Sequence, residues 1–407
     1  MTDNIDFDFF HTQELHARLA AGNGQLAAHD VASIGAIALR LAESGRAYTY
    51  VPTGDGIEVV AGSEQARTIV EIDQASWNGL ATDAETAPGL LYSDRATCSG
   101  GSALRFVRWE PALRAMYHSR PILDPTELDL TNEDGTVLDP SRNFELADDR
   151  AEMAAFLDAT GYLLVRDVFD EVEIDVLAAA TERLRRTAVP GDGRSWWGRD
   201  RSGEEVLSRV THAAVEDDLR ALYADERMTA LMALSRFDLT PRAAQAPEGV
   251  QVLWKLPDVV EGLSDIPWHR DCGMGGHATM CPLLIATVCV AGGGPDAGQL
   301  RMLPGSWRYS YPFIDPGDAA APEGVPLDVE PGDVTLHYSD TMHASCAPSG
   351  PGPHRTSLLL AFVPDVDAHA LGKRGYNSPL TKRADGHVQH LRDLLEVQGE
   401  EAREADA

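Results

Sequence analysis

The sequence predicts an α+β protein in which a small mixed module precedes a larger domain ending in a sandwich or double-sheet jelly roll. Three observations carry this reading. From Val250 onward, short β-branched or apolar runs recur, cut by Gly and Pro. Before them, residues 148–186 pass from helix to glycine break to strand to amphipathic helix. Between two regions of different texture, a connection near 118–150 carries Pro121, Pro125 and Pro140 among Asp124, Asp129, Asn132, Asp134 and Gly135, a density of turn formers that reads as exposed linker.

The elements follow in order. An Ala- and Leu-rich helical pattern spans roughly His16 to Ser44. Strand-like runs come next at Ala47–Val51, Gly56–Val60 and Thr68–Ile72, with Gly54-Asp55-Gly56 as the hairpin turn of the first two. A helix-like stretch surrounds Trp77, a strand is expected at Gly89–Tyr92, and the aromatic-rich run Leu104–Tyr117 closes the module. In the larger domain a helix, Asp148–Thr160, is broken by Gly161 before the strand Tyr162–Arg166. A helix from Glu171 to Arg186 places Leu177, Thr181 and Leu184 at helical spacing. The late strands are Gln251–Trp254, Leu284–Val290, Gln299–Leu303, Gly332–Tyr338 and Ser357–Val363, and a helix is expected at His387–Val397. The predicted division is 1–120 for the α+β accessory module, 121–147 for the linker, 148–385 for the main domain and 386–407 for a helix with an acidic tail.

Lys plus Arg number 34 and Asp plus Glu 64, giving a net charge of −30. So acidic a surface repels phosphate backbones and anionic lipid, so neither nucleic acid nor a membrane surface is expected as a partner. Five cysteines without a C-x-x-C pair argue against a disulfide framework or thiolate zinc site. No signal-like or membrane-spanning apolar run is found, and a cytoplasmic location is expected.

The sharpest chemical feature is Trp268-His269-Arg270-Asp271. In a strand, His269 and Asp271 point to one face and form a bidentate corner for a divalent metal. His343, after the strand running to Tyr338, is the best third ligand. Two His and one carboxylate leave open coordination positions, as in the facial triad of non-haem iron(II) oxygenases. His337 is a rival ligand six residues earlier. Twelve residues beyond His343, Arg355 opens another apolar strand, and a buried guanidinium there would clamp a carboxylate, with Ser357 adding a hydroxyl. Lys255 reads either as a further co-substrate contact or as a solvated strand-end lysine. Thr287 and Ser345 are candidate co-substrate donors or satisfied core hydroxyls. Arg194-Ser-Trp-Trp-Gly-Arg-Asp-Arg201, with Arg209 beyond, reads in one of two ways. It is either a lid whose Trp196, Trp197, Arg199 and Arg201 hold an anionic, partly apolar substrate, or a surface loop whose arginines pair with nearby acids.

These residues resemble the phytanoyl-CoA dioxygenase family of iron(II)/2-oxoglutarate oxygenases. Phe156–Phe169 is similar to its opening helix–Gly–strand, Trp268–Asp271 to its first two ligands, Asp296–Ser306 to its strand and Pro-Gly-Ser turn, and Gly332-Asp333 with His343-Ala-Ser345 to its distal ligand strand. The resemblance covers roughly 145–370. It implies a double-stranded β-helix (jelly-roll, cupin-like) core with flanking helices. It also implies Fe(II) held by His269, Asp271 and His343, with 2-oxoglutarate and O₂ as co-substrates. Oxidation of an unactivated C–H bond of a small molecule would then accompany release of succinate and CO₂. Trp307 departs from the family, which commonly has His there, and marks a candidate substrate contact. The presence of Asp271 favours hydroxylation over halogenation. The N-terminal segment weakly resembles a sterol-carrier-protein-like module, which would imply a lipid-like substrate; the other reading is a cap that braces the main domain. Two further functions stay open, a zinc hydrolase on the same triad and a non-catalytic ligand-binding protein. The oligomeric state is not legible.

Overall fold

The computed structural model describes residues 4–124, 128, 130–131, 135–242, 249–271, 281–311, 314, 321–364, 380–390 and 393. Among the described residues two large hydrophobic cores form, one from residues between Phe7 and Tyr117 and one from residues between Leu138 and Phe362, with two small clusters around Trp196 and Cys281.

The N-terminal module opens with α1 (Phe7–Phe9), a π-helical turn (Phe10–Glu14), α2 (Leu15–Ala20) and α3 (Asn23–Val31). A meander follows, β1 (Ile37–Leu41), β2 (Ala47–Pro52) and β3 (Ile57–Ala61). The chain then crosses to β4 (Thr68–Ile72), passes α4 (Gln74–Ala81) and α5 (Ala87–Tyr92), and returns as β5 (Ala96–Ser99) before α6 (Leu104–His118). The sheet order is β3-β2-β1-β4-β5, with β1 and β4 parallel. Two expectations are corrected. The helix expected over His16–Ser44 ends at Val31, and Ile37–Leu41 becomes the central strand, because its apolar run is buried on both faces between β2 and β4. Gly89–Tyr92 lies in a helix instead of a strand. Thr86 caps it by accepting from the Gly89 amide, and Pro88 sits in its first turn.

The module's centre holds a buried polar chain. The Nδ1 of His11 donates to the Phe7 carbonyl (2.6 Å), its Nε2 accepts from the Tyr50 hydroxyl (2.6 Å), and Tyr50 meets Tyr117 at 2.5 Å. Burial pushes the His11 imidazole down from 6.5 to about 4. The folded state therefore requires neutral His11, whereas the unfolded chain takes up a proton below 6.5. Stability from this site is full above that pH and is lost as pH falls from 6.5 towards 4, by about 3 kcal/mol in all. Urea midpoints measured from pH 7 to 4 should fall more steeply for the wild type than for His11→Asn.

The larger domain begins with the short strand β6 (Phe144–Glu145), then α7 (Arg150–Thr160), β7 (Tyr162–Arg166) and α8 (Glu171–Thr187). Of these, α7, β7 and α8 match the sequence reading because their boundaries are written locally, whereas β6 falls within the expected linker. Asp149 caps α7, and Asp170 with Glu173 forms a capping box on α8. Gly161 ends α7 at φ +86°, where a Cβ would lie 2.5 Å from the Trp307 ring.

The hairpin β8 (Ser195–Asp200) and β9 (Glu205–Val210) is followed by α9 (Asp217–Ala221), α10 (Glu226–Met232) and a run of strands. These are β10 (Leu239–Pro241), β11 (Val250–Trp254), β12 (Val259–Glu261), β13 (Ile266–His269), β14 (Leu284–Ala291), β15 (Leu300–Met302), β16 (Val325–Leu327), β17 (Val334–Tyr338), β18 (His343–Ser345) and β19 (Thr356–Pro364). They make a large sheet, β12-β8-β9-β11-β19-β14-β17-β7-β6 with β10 also on β19, and a four-stranded sheet, β13-β18-β15-β16. The late strands arise where the sequence places them, in a two-sheet arrangement consistent with a jelly-roll core. At the C-terminus, Val388–His390 pairs as β21 with β20 (Leu380–Lys382), so no helix begins at His387; most of the rest of that expected helix lies outside the described residues.

Alternation splits the large sheet by face. Leu284, Ala286 and Val288, with Leu358, Leu360 and Phe362 and with Val334 and Leu336, join the main core. The register partners Ile285 and His337, Thr287 and Thr335, Thr287 and Leu359, and Cys289 and Ser357 share the other face. That polar face carries the site.

Candidate metal centre

The small sheet sets two of the ligands by register. His269, last residue of β13, pairs directly with His343, first of β18, so both imidazoles leave one face and their centroids lie 4.1 Å apart. β13 stops at His269, and Asp271 lies beyond its end, its amide bonded to the Ser339 carbonyl (2.8 Å). The carboxylate nevertheless turns back to the pair. Its Oδ1 lies 3.7 Å from His269 Nε2 and 3.9 Å from His343 Nε2. One ligand atom from each of the three falls within 4.8 Å of the others.

The tautomers suit a metal. His269 Nδ1 donates to the Pro267 carbonyl (2.8 Å) and His343 Nδ1 to the Thr341 carbonyl (2.9 Å). A carbonyl only accepts, so each Nε2 keeps its lone pair for the centre. Burial, reinforced by neighbouring His269, holds His343 well below the usual imidazole range and hence neutral. Burial opposes ionisation of Asp271, but the adjacent His343 and the hydrogen bond that Oδ2 accepts from His337 outweigh it, so its carboxyl sits well below the ordinary range.

His337 is a supporting residue instead of a rival ligand. It stands on β17 of the large sheet, and its Nε2 donates to Asp271 Oδ2 (3.1 Å). One carboxylate oxygen is thereby held, and the other faces the two imidazoles. Strand parity suggests His337 and His343 as alternatives, yet they come from different sheets and meet at one aspartate. Replacing His337 with alanine should weaken divalent-metal binding about 10- to 100-fold, as removal of an outer hydrogen-bond partner does. Titration with Co(II) measures this directly.

Two residues along β18 from His343, about 7 Å by strand rise, a cationic pocket begins. Arg355 is buried and donates from Nη2 to the Ser345 hydroxyl (3.0 Å), while its Nε is buried with no partner among the described residues. Burial pulls its guanidinium down to about 10. Lys255 is wholly buried and donates to the carbonyls of Leu263 and Ser345, both at 3.1 Å. This corrects the solvated-lysine reading. The side chain follows the parity of Leu253 on β11 and turns inward beside Arg355. Burial, and then the charge of Arg355, hold the ammonium well below its usual range. Ser357 is buried on β19 opposite Leu253 and Cys289, and Thr287 is half-buried on the same face of β14.

The remaining candidates separate. The segment around the two indoles is a strand hairpin, and only Trp196 joins the inner face, through the register Ser357–Leu253–Arg209–Trp196. The Arg209 guanidinium lies 5.2 Å from the Trp196 ring, and its Nε is buried without a partner. Trp197, past a bulge, donates to the Ser195 hydroxyl (2.7 Å) and packs on the main core. Arg199 and Arg201 point outward, with side chains 43% and 77% exposed, towards Glu205, Glu261 and Asp258 at 3.3–4.0 Å. Those two arginines take the surface-pairing reading. Trp307 is likewise no pocket residue. It is 1% exposed, packs at a tilt against Tyr338 with ring centroids 4.5 Å apart, and donates to the Asp158 carbonyl (3.0 Å), fastening α7. Met302 pairs in register with His343 as buried packing. Parity from β9 to β19 is the signal that would have singled out Arg209.

Residues 157–356 match the model of the family described as phytanoyl-CoA dioxygenase (PhyH). This segment belongs to that family. The domain is of the iron(II)- and 2-oxoglutarate-dependent oxygenase type. The triad, Lys255, Ser345 and Arg355 all fall inside the match, and the N-terminal module lies outside it. No curated protein matches the chain. Among solved structures, the chain is similar to AviO1 from Streptomyces viridochromogenes Tue57 (24% identity, 54% of this chain and 96% of that one, TM-score 0.41). It is also similar to the non-heme alpha ketoglutarate dependent carbocyclase SnoK from nogalamycin biosynthesis (20%, 60% and 98%, TM-score 0.43). A third is EctD from S. alaskensis with 2-oxoglutarate and 5-hydroxyectoine (23%, 60% and 82%, TM-score 0.43). Among the described residues, no helix is long and apolar enough to cross a membrane.

Proposed function

We propose that the protein is a non-haem iron(II)/2-oxoglutarate-dependent dioxygenase that hydroxylates an unactivated C–H bond of a small organic substrate. The observation that carries this is the pairing of two features about 7 Å apart. One is a two-His-one-carboxylate cluster with metal-ready tautomers; the other is a buried guanidinium whose hydrogen bond goes to a hydroxyl and whose Nε is orphaned. The donor set suits iron(II). The orphaned Nε, with Ser345, Ser357 and Lys255, suits the distal carboxylate of 2-oxoglutarate. A large and a small sheet meeting at the centre support a double-stranded β-helix core.

The chain's own residues have distinct tasks. His269, Asp271 and His343 hold the metal, and His337 keeps Asp271 from rotating. Arg355 and Ser345 orient the co-substrate so that its keto-acid end meets the ion. Bound iron supplies dioxygen activation coupled to decarboxylation of 2-oxoglutarate to succinate and CO₂. Trp196 and Arg209, further along the same face, offer an indole and a cation to an anionic, partly apolar substrate. The two cores support a division into an accessory module, 1–120, and a catalytic domain, 148–385. An interior filled by Trp77, Trp109, Tyr50 and Tyr117 supports a bracing role for the N-terminal module.

The test is anaerobic titration of apo-protein with iron(II) and 2-oxoglutarate, following the weak visible charge-transfer band of the chelate. A band in the wild type supports the reading. Tight zinc retention with no band would replace it with the hydrolase.

A further inference from the structure

We propose that the N-terminal module positions the metal centre through a buried ion network joining α6 to the two backbone segments that carry the ligands. The proposal rests on the triad being a metal centre and adds a task for a module that the family match leaves out.

On α6, Glu110 and Arg114 stand one turn apart. Arg114 Nε lies 2.7 Å from Asp83 Oδ1, and its Nη2 lies 3.3 Å from Glu110 Oε1. Arg120 reaches the other Asp83 oxygen at 3.3 Å, and Glu110 Oε2 accepts from the Ala87 amide at 2.8 Å. Asp83, Glu110 and Arg114 are almost fully buried.

The same network extends into the catalytic domain. Arg270, the residue between His269 and Asp271, is itself buried. It lies within electrostatic reach of Arg114, Asp340, Glu110 and Asp83. Asp340, also buried, faces Arg114 and accepts from the Cys281 amide at 2.6 Å. Its two neighbours hold the ligands. Ser339 receives the Asp271 amide, and Thr341 receives His343 Nδ1. Three guanidiniums (Arg114, Arg120, Arg270) and three carboxyls (Asp83, Glu110, Asp340) thus form one electrostatically linked group, with ion pairs at its Asp83–Arg114–Glu110–Arg120 end and Arg270 and Asp340 in its field. Removing one member of a buried ionic network leaves an uncompensated charge that the backbone must move to relieve. Here the nearest movable backbone is the ligand backbone, and a metal site tolerates only about 0.5 Å of displacement. Glu110 is therefore a positioning residue, acting through Arg270.

Co(II), whose visible bands report ligand geometry, is titrated into the full-length protein and three variants, with apo-protein melting recorded in parallel. Glu110→Gln should bind Co(II) at least tenfold more weakly, with an altered band. Val59→Ala, in the module's core on β3 and outside the network, should lower the apo melting temperature yet bind Co(II) as the wild type does. The double variant Glu110→Gln/Arg114→Gln keeps the network's charge balanced and guards against a single variant that does not fold. It too should lose at least tenfold. Wild-type affinity and bands in the folded Glu110→Gln or double variant would overturn the coupling while leaving the metal centre intact. No Co(II) binding by the wild type would overturn the centre, and the coupling with it.

Discussion

Replacing Arg355 with alanine should raise the KM for 2-oxoglutarate by roughly 30- to 5,000-fold, the equivalent of about 2–5 kcal/mol for truncating one partner of a buried, hydrogen-bonded charge pair. The geometry makes the expectation specific. Arg355 is buried, and among the described residues its one hydrogen bond to a side chain goes to the Ser345 hydroxyl, so its charge is left for an incoming anion. Lys255 lies beside it but spends donors on two backbone carbonyls, so it cannot take over the two-pronged contact. Arg355→Lys should recover only part of the loss, because an ammonium keeps the charge without the fork. Metal affinity should hold in both variants, since the triad stands two strand residues away. Steady-state succinate release against 2-oxoglutarate concentration, with Co(II) titration alongside, separates the effects. An unchanged KM would remove Arg355 from the co-substrate site.

The second large effect is expected at His343. Its imidazole is one of the three proposed ligands, is held neutral by burial, and is fixed by the Thr341 carbonyl. His343→Ala should cost more metal affinity than the roughly 100-fold upper bound set for the outer partner His337, and the iron–2-oxoglutarate band should vanish with it. Because His337 donates to Asp271 from the other sheet, it cannot swing into the vacated position without releasing that carboxylate. Persistence of the band would show that His337 is a ligand after all.

Both predictions begin with residues that the sequence singles out, while the arguments that size them come from the fold. His269, Asp271, His343 and Arg355 were legible because their chemistry is concentrated in short motifs, and those motifs sit where alternation and glycine punctuation mark strands. The caps Asp149 and Asp170 and the stop at Gly161 were legible for a similar reason: each acts within four residues of chain. Lys255 looked exposed because it ends a strand run, and only the pairing of β11 with β19 shows that it is enclosed. Trp307 looked like a pocket residue because it follows the Pro-Gly-Ser turn, yet that turn points it at α7. Trp196 and Arg199 lie in one strand, but one faces the site and the other the acids outside, an outcome settled by a bulge and by register. His337 and Arg270 acquire their tasks only from partners about 60 to 190 residues away. By itself, then, the sequence determined the ligand types, the strand periodicity and the helix ends, all consequences of local backbone chemistry. The tertiary structure decided which sheet face meets which, what is buried, and which charge answers which. Those outcomes depend on strand register and on partners distant along the chain, which no local pattern encodes.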